Sequence, residues 1–179
     1  LQRDAAKVNG EDKYDYSQWF KFLTPYLSQQ DYSIANLEVT LGGSPYSGYP
    51  QFCSPDSYAE AIQEAGFDFL ITANNHSQDK GKKGLERTID VLDQLKLDHT
   101  GTFKNQIERD KYYPFIKTLK GKKIAFLNYT YGTNGIEVQP PNIVNKIDTI
   151  QMLKDILKAR ELTADFIIVT LHWGYEYQR

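Results

Sequence analysis

Residues 65–81 read AGFDFLITANNHSQDKG, and this stretch decides the fold. Phe67 to Thr72 is short and mostly apolar, the composition of a buried strand bounded by turn residues. A helix precedes it. Ser54 stands at its N-cap, Pro55 at its first position and Gly66 just past its end, and Ala59, Ala61, Ile62 and Ala65 supply a small apolar face. A second amphipathic helix follows, marked by Leu85, Ile89, Leu92 and Leu95. Between strand and second helix come two asparagines, a histidine, a serine and an acid. That is a dense polar load for the end of an apolar strand.

The same alternation continues outward. From Asp15, Tyr16, Trp19, Phe20, Leu23 and Leu27 recur at helical spacing, and Asp15 or Ser17 can cap that helix. Ser33 to Glu38 is a short buried strand, followed by the turn-rich loop Gly42 to Pro50. Tyr113 to Leu119 and Lys123 to Asn128 read as strands joined by a tight turn at Lys120-Gly121-Lys122. Asn134-Gly135 and Pro140-Pro141 punctuate a loop. Ile150, Leu153 and Leu157 mark a helix that Asp148 or Thr149 caps, and Phe166 to Leu171 is a continuous apolar strand. Strands alternating with helices predict an α/β fold in one domain over residues 1–179. Its strands are expected to be buried under helices on both faces, and the hairpin makes the sheet mixed.

Bulk properties narrow the function. The chain has 179 residues, 40% hydrophobic and 25% charged, with a net charge of −2. That balance gives no electrostatic footprint for nucleic acid or an anionic membrane. Cys53 is the only cysteine, which excludes an internal disulfide and argues against a thiolate metal cage. No apolar run is long enough to span a bilayer. The chain begins at Leu1 and ends just past an apolar strand, so we expect a processed or truncated product. The phosphate-loop and G-x-S-x-G signatures are absent.

In open α/β sheets, functional side chains gather beyond the carboxyl ends of strands. Three strand ends here carry polar groups: Asn36 and Glu38; Asn74, Asn75 and His76 with Asp79 following; and His172 to Glu176. Imidazole, carboxylate and amide oxygen together suit Mn²⁺, Fe²⁺ or Zn²⁺, which could polarise a phosphoryl oxygen. Each group also has a plain structural reading. Asn74-Asn75 can form Asx turns, Asn75-His76-Ser77 is formally a glycosylation sequon, Glu38 can be a surface acid, and His172 can be a satisfied core histidine. Asp93 and Asp98 have no evident partner, and His99 reads as structural. The 13 tyrosines either fill core and surface or line a polymer-binding groove.

The segments ANLEVTL, AGFDFLITANNHSQDKGKKGLERTIDVLDQL with the following TG, GKKIAFLNYTYGTNG and DFIIVTLHWGYEY resemble the bacterial CapA family of capsule and poly-γ-glutamate synthesis proteins. The likeness runs from about residue 16 to the end. That family is similar to the calcineurin-like metallophosphoesterases, which implies a layered α/β sandwich with metal ions (Mn, Fe, Zn or Mg) at the strand ends. By resemblance, Glu38, Asn75 and His172 are metal ligands, His76 faces the substrate, and Asn36, Asp79 and Glu176 orient them. The substrate would be an anionic polymer or a phosphoester, and the setting the extracytoplasmic cell envelope, with any membrane anchor outside this chain.

The family's leading G-D-x-M motif and trailing G-H-H-P-H motif do not occur in these residues. The resemblance therefore implies an incomplete domain, without the family's first strand and its C-terminal part. Weak metal binding, little hydrolysis, and dimerisation or strand exchange at an open sheet edge are expected. Three functions remain open: a capsule or poly-γ-glutamate synthesis protein, a metal-dependent phosphoesterase, or a non-catalytic polymer-binding module.

Overall fold

The computed structural model describes residues 6–8 and 13–174. Its elements in chain order are α1 (Ser17–Phe20), α2 (Thr24–Leu27), β1 (Ile34–Asn36), α3 (Asp56–Ala65), β2 (Phe69–Ile71), α4 (Gly81–Leu95) and β3 (Asp98–Thr100). They continue with β4 (Thr102–Phe103), α5 (Gln106–Tyr112), β5 (Phe115–Leu119), β6 (Lys122–Thr130), β7 (Ile143–Val144), α6 (Thr149–Glu161) and β8 (Phe166–His172). The α/β class is as expected.

The opening stretch forms the middle of a parallel sheet. β2 lies between β1 and β3, with Phe69 opposite Ile34 on one side and Asp98 on the other. Its side chains alternate between two cores, as a strand's must. Leu70 packs with Leu37, Leu41, Ile62 and Leu92 under α3 and α4. Phe69 points the opposite way and meets Phe115 and Phe126, with ring centroids 4.8 and 5.0 Å away. Those two rings belong to a second sheet, in which β6 pairs antiparallel with β5 and parallel with β8. On its far face, Ala159 of α6 joins Ala125, Leu127 and Tyr129 of β6. The layers run helix, sheet, sheet, helix. Each sheet is covered by helices on one face and by the other sheet on its second, rather than by helices on both.

Gly101 fastens the two sheets. Its φ is +118°, and a Cβ there would lie 2.5 Å from Ala73 N and 2.2 Å from Asn128 Oδ1. A side chain is excluded both by conformation and by space. The vacated volume lets Asn128 Oδ1 accept from Ala73 N at 2.7 Å, tying β6 to the end of β2.

Several elements depart from the sequence pattern. The helix expected from Asp15 is two single turns, α1 and α2. Pro25, in the first turn of α2, has no N–H for Lys21 O and cannot continue α1. α3 begins at Asp56, with Pro55 rather than Ser54 at the N-cap, and Ser54 N donates to Thr40 O at 2.9 Å. Gly81 does begin a helix, but Lys80 is its N-cap and Asp79 is engaged elsewhere. Asp93 and Asp98 both have partners. His99 Nε2 lies 3.1 Å from Asp93 Oδ1, and Tyr32 OH donates to Asp98 at 2.7 Å. The His99 contact is the first cause of the Asp93 carboxyl lying below its ordinary pKa.

The largest departures are in α6 and β8. Asp148 caps α6 as expected, its Oδ1 accepting from Ile150 N and Gln151 N at 2.9 Å. The face marked by Ile150, Leu153 and Leu157 is exposed, however, Ile150 by 69%. Met152, Ile156 and Ala159 turn inward instead, around the buried Asp155. Asp155 meets Arg109 Nη2 at 2.7 Å and accepts from Tyr129 OH at 2.9 Å. α6 is thus rotated with this charged pair satisfied inside, where an unpaired charge would be costly, and with the Ile150, Leu153 and Leu157 face outside. β8 was expected to be buried. Phe166, Ile168, Val169 and Leu171 are exposed; among the described residues β8 is an outer strand of its sheet, paired with β6.

Candidate functional site

β1 and β2 are adjacent and parallel, so their carboxyl ends come together, and β8 delivers His172 from the second sheet. The turn after β2 is built by its own side chains. Asn74 Oδ1 accepts from His76 N at 3.0 Å, and Ser77 Oγ accepts from Asn74 N at 3.0 Å. This is an Asx turn closed by a serine. Asn74 Nδ2 donates to Leu37 O at 2.7 Å and to Asn36 Oδ1 at 3.1 Å, which binds the turn to β1. Asn74 is therefore scaffold. Asn75 and His76, both buried, are left pointing at the other strand ends.

Glu38, Asn75 and His172 converge. His172 Nε2 lies 2.9 Å from Asn75 Oδ1 and 3.9 Å from Glu38 Oε1. Asn36 Nδ2 donates to Glu38 Oε2 at 2.9 Å and holds the carboxylate from behind. Asp79 Oδ2 lies 2.7 Å from His76 Nδ1 and accepts from Phe52 N at 2.6 Å. With its Nδ1–H on Asp79, His76 presents Nε2 as the acceptor ring nitrogen. A carboxylate thus fixes the orientation and tautomer of this imidazole. Of the residues expected here, the structure brings together Asn36, Glu38, Asn75, His76, Asp79 and His172. Glu176 lies outside the described residues.

Three neighbours escaped the sequence reading. The Phe52 ring lies 4.5 Å from the His76 ring, and Tyr131 stacks on His172 at 6.0 Å with planes 13° apart. Asn134 Oδ1 accepts from Asn75 Nδ2 at 3.2 Å. Asn134 had a legible signal, an Asn-Gly pair, but that signal announces only a turn. Phe52 and Tyr131 carried none. The tyrosines divide between roles, with Tyr16, Tyr113 and Tyr129 in the cores and Tyr131 beside the site.

The donor chemistry fits a divalent ion on one side only. A carboxylate oxygen and an amide oxygen lie within 4 Å of one imidazole nitrogen, and the Glu38 side chain is 43% exposed. Among the described residues, no three His, Cys, Asp or Glu side chains are grouped to hold a metal. Three donors leave the rest of a coordination sphere of four to six to water, substrate or other groups.

The family described as Bacterial capsule synthesis protein PGA_cap matches residues 1–179. The chain is 29% identical over 179 aligned residues to a Bacillus anthracis protein named Capsule biosynthesis protein CapA, covering 93% of this chain and 43% of that one. It is 26% identical over 166 residues to the PGA biosynthesis protein CapA of Bacillus subtilis strain 168, covering 87% and 38%. The chain spans less than half the length of either relative.

Proposed function

The chain belongs to the Bacterial capsule synthesis protein PGA_cap family, and we propose that it serves capsule or poly-γ-glutamate synthesis or export. The observation that carries this reading is the family match over residues 1–179. The work belongs at the bacterial cell envelope, on an anionic polymer outside the cytoplasm, with membrane attachment supplied from outside these residues. Among the described residues, no helix is long and apolar enough to cross a membrane. Deleting the gene in an encapsulated host tests the proposal. Surface polymer falls and returns on complementation; unchanged polymer overturns the reading.

A second, compatible reading is metal-dependent phosphoester hydrolysis, supported by the His76–Asp79 pair beside Glu38, Asn75 and His172. Glu38, Asn75 and His172 would hold a divalent ion (Mn, Fe, Zn or Mg), with Asn36 orienting Glu38. When bound, such an ion polarises a phosphoryl oxygen and acidifies bound water. Asp79 holds the His76 ring so that Nε2, the acceptor nitrogen, faces the substrate and can take a proton or a hydrogen bond from it or from a bound water. With three donors, the 179-residue chain itself is expected to bind metal weakly and to hydrolyse little. In the full-length protein, His76→Ala abolishes turnover with metal retained, whereas Glu38→Ala lowers metal content. If neither change affects any activity, the hydrolytic reading fails.

A further inference from the structure

Asn134 sits in the sequence Thr133-Asn134-Gly135-Ile136. Ile136 N donates to Thr133 O at 2.8 Å, and Asn134 and Gly135 have φ of +48° and +75°. That is a two-residue turn of the primed kind, for which Asn-Gly is the preferred pair. The turn has a fixed seat. Thr133 is buried, and its Oγ1 donates to Ile136 O at 2.6 Å. Just upstream, Tyr131 N donates to His172 O at 2.9 Å. Asn134 is exposed, which the turn alone would satisfy, yet its carboxamide also reaches both halves of the site.

Its Oδ1 accepts from Asn75 Nδ2 at 3.2 Å, and its Nδ2 lies 3.5 Å from His76 Nε2. An amide has one oxygen and one NH₂ group, so committing Asn75 Nδ2 to Asn134 turns Asn75 Oδ1 toward His172 Nε2, 2.9 Å away. Rotating the Asn75 amide by half a turn would set NH₂ against the His172 N–H, and oxygen against the Asn134 oxygen. With His172 carrying its proton on Nε2 and His76 on Nδ1, the donors run one way. His172 gives to Asn75, Asn75 to Asn134, Asn134 to His76, and His76 to the Asp79 carboxylate, which also takes Phe52 N–H.

We propose that Asn134 is a positioning residue: its carboxamide fixes the Asn75 amide with Oδ1 toward Glu38 and His172, and couples that trio to the His76–Asp79 pair. The functional meaning of this coupling rests on the site proposed above. The geometric claim does not, and the two are tested separately.

The experiment compares Asn134→Gly and Asn134→Asp in the ¹⁵N-labelled 179-residue chain. Glycine removes the carboxamide and keeps the positive φ without strain, so a residue needed only for its turn survives the change. Aspartate keeps an acceptor for Asn75 Nδ2 and removes the donor facing His76. In Asn134→Gly, hydrogen exchange of the Asn75 side-chain NH₂ quickens roughly five- to tenfold, the measure of one lost hydrogen bond. In Asn134→Asp, that protection stays and the His76 imidazole ¹⁵N signals shift. Unchanged Asn75 exchange in the glycine variant overturns the proposal, as does equal loss in both variants. Mn²⁺ titration of the full-length protein is the second arm. Affinity falls about tenfold in Asn134→Gly and less in Asn134→Asp, the size typical of losing a partner behind a metal ligand. A full-length protein that takes up no Mn²⁺ before mutation overturns the metal site and leaves the exchange result standing.

Discussion

The most polar turn of this chain is buried, and its most apolar strand is exposed. Asn74 to Asp79 lies inside the protein with exposures of 8% or less, whereas Phe166 is 58% exposed and Trp173, after β8, is 75% exposed. The contrast shows what each segment is built to meet. Asn74 and Ser77 form a closed set of hydrogen bonds with one another and with the Thr72 and Leu37 carbonyls, so the turn after β2 can leave water. β8 has apolar residues on both faces, the pattern of a strand covered on each face, and among the described residues it pairs with β6 and no other strand. The first region is largely satisfied from within, although both Gln78 amide atoms and Asp79 Oδ1 are buried without a partner among the described residues; the second offers surface.

Breaking the buried polar regions is expected to cost most. Asp155→Ala strands the Arg109 guanidinium in the core and should lower stability by about 3–5 kcal/mol, read as a fall in the urea midpoint. Gly101→Ala combines a disfavoured φ with contacts no Cβ tolerates and should cost about 3 kcal/mol in the same measurement. It also detaches Ala73 from Asn128, so Asn75 and His76 signals shift in NMR spectra of the residual fold. Asp79→Ala leaves Phe52 N and His76 Nδ1 without their acceptor, at about 1–3 kcal/mol.

The exposed region should respond the other way. Leu153→Lys or Leu171→Lys should change the urea midpoint by no more than about 0.5 kcal/mol equivalent, as at other exposed positions. We expect the chain to self-associate through the β8 edge and the outer face of α6. Sedimentation at increasing concentration then shows dimer in the parent and less in these variants, and a parent that stays monomeric counts against that expectation. The smallest effect is a pH dependence. Because Asp93 ionises more readily when folded, its stabilisation is present above the ordinary carboxylate pKa and is lost as pH falls through the lowered value. The stability gap between parent and Asp93→Asn should therefore narrow on acidification and be steady near neutrality.

Much of this protein was legible along the chain. Gly66 ends α3 in the left-handed conformation, Asp148 caps α6, and the turn at Lys120-Gly121 joins β5 to β6, each through chemistry spanning a few residues. The nearness of Glu38 to the turn after β2 followed from two parallel strand ends sharing one edge, whereas His172 was joined to them by the family resemblance. Three things were decided only in the folded molecule. The inward face of α6 carries Asp155, paired with Arg109, 46 residues away in sequence. β8 is exposed and, among the described residues, an outer strand of its sheet. Asn134 was brought to Asn75 across 59 residues. Local signals fix elements because capping and turns are short-range. Which face is buried and which side chains meet depend on long-range pairing, which no window of sequence contains.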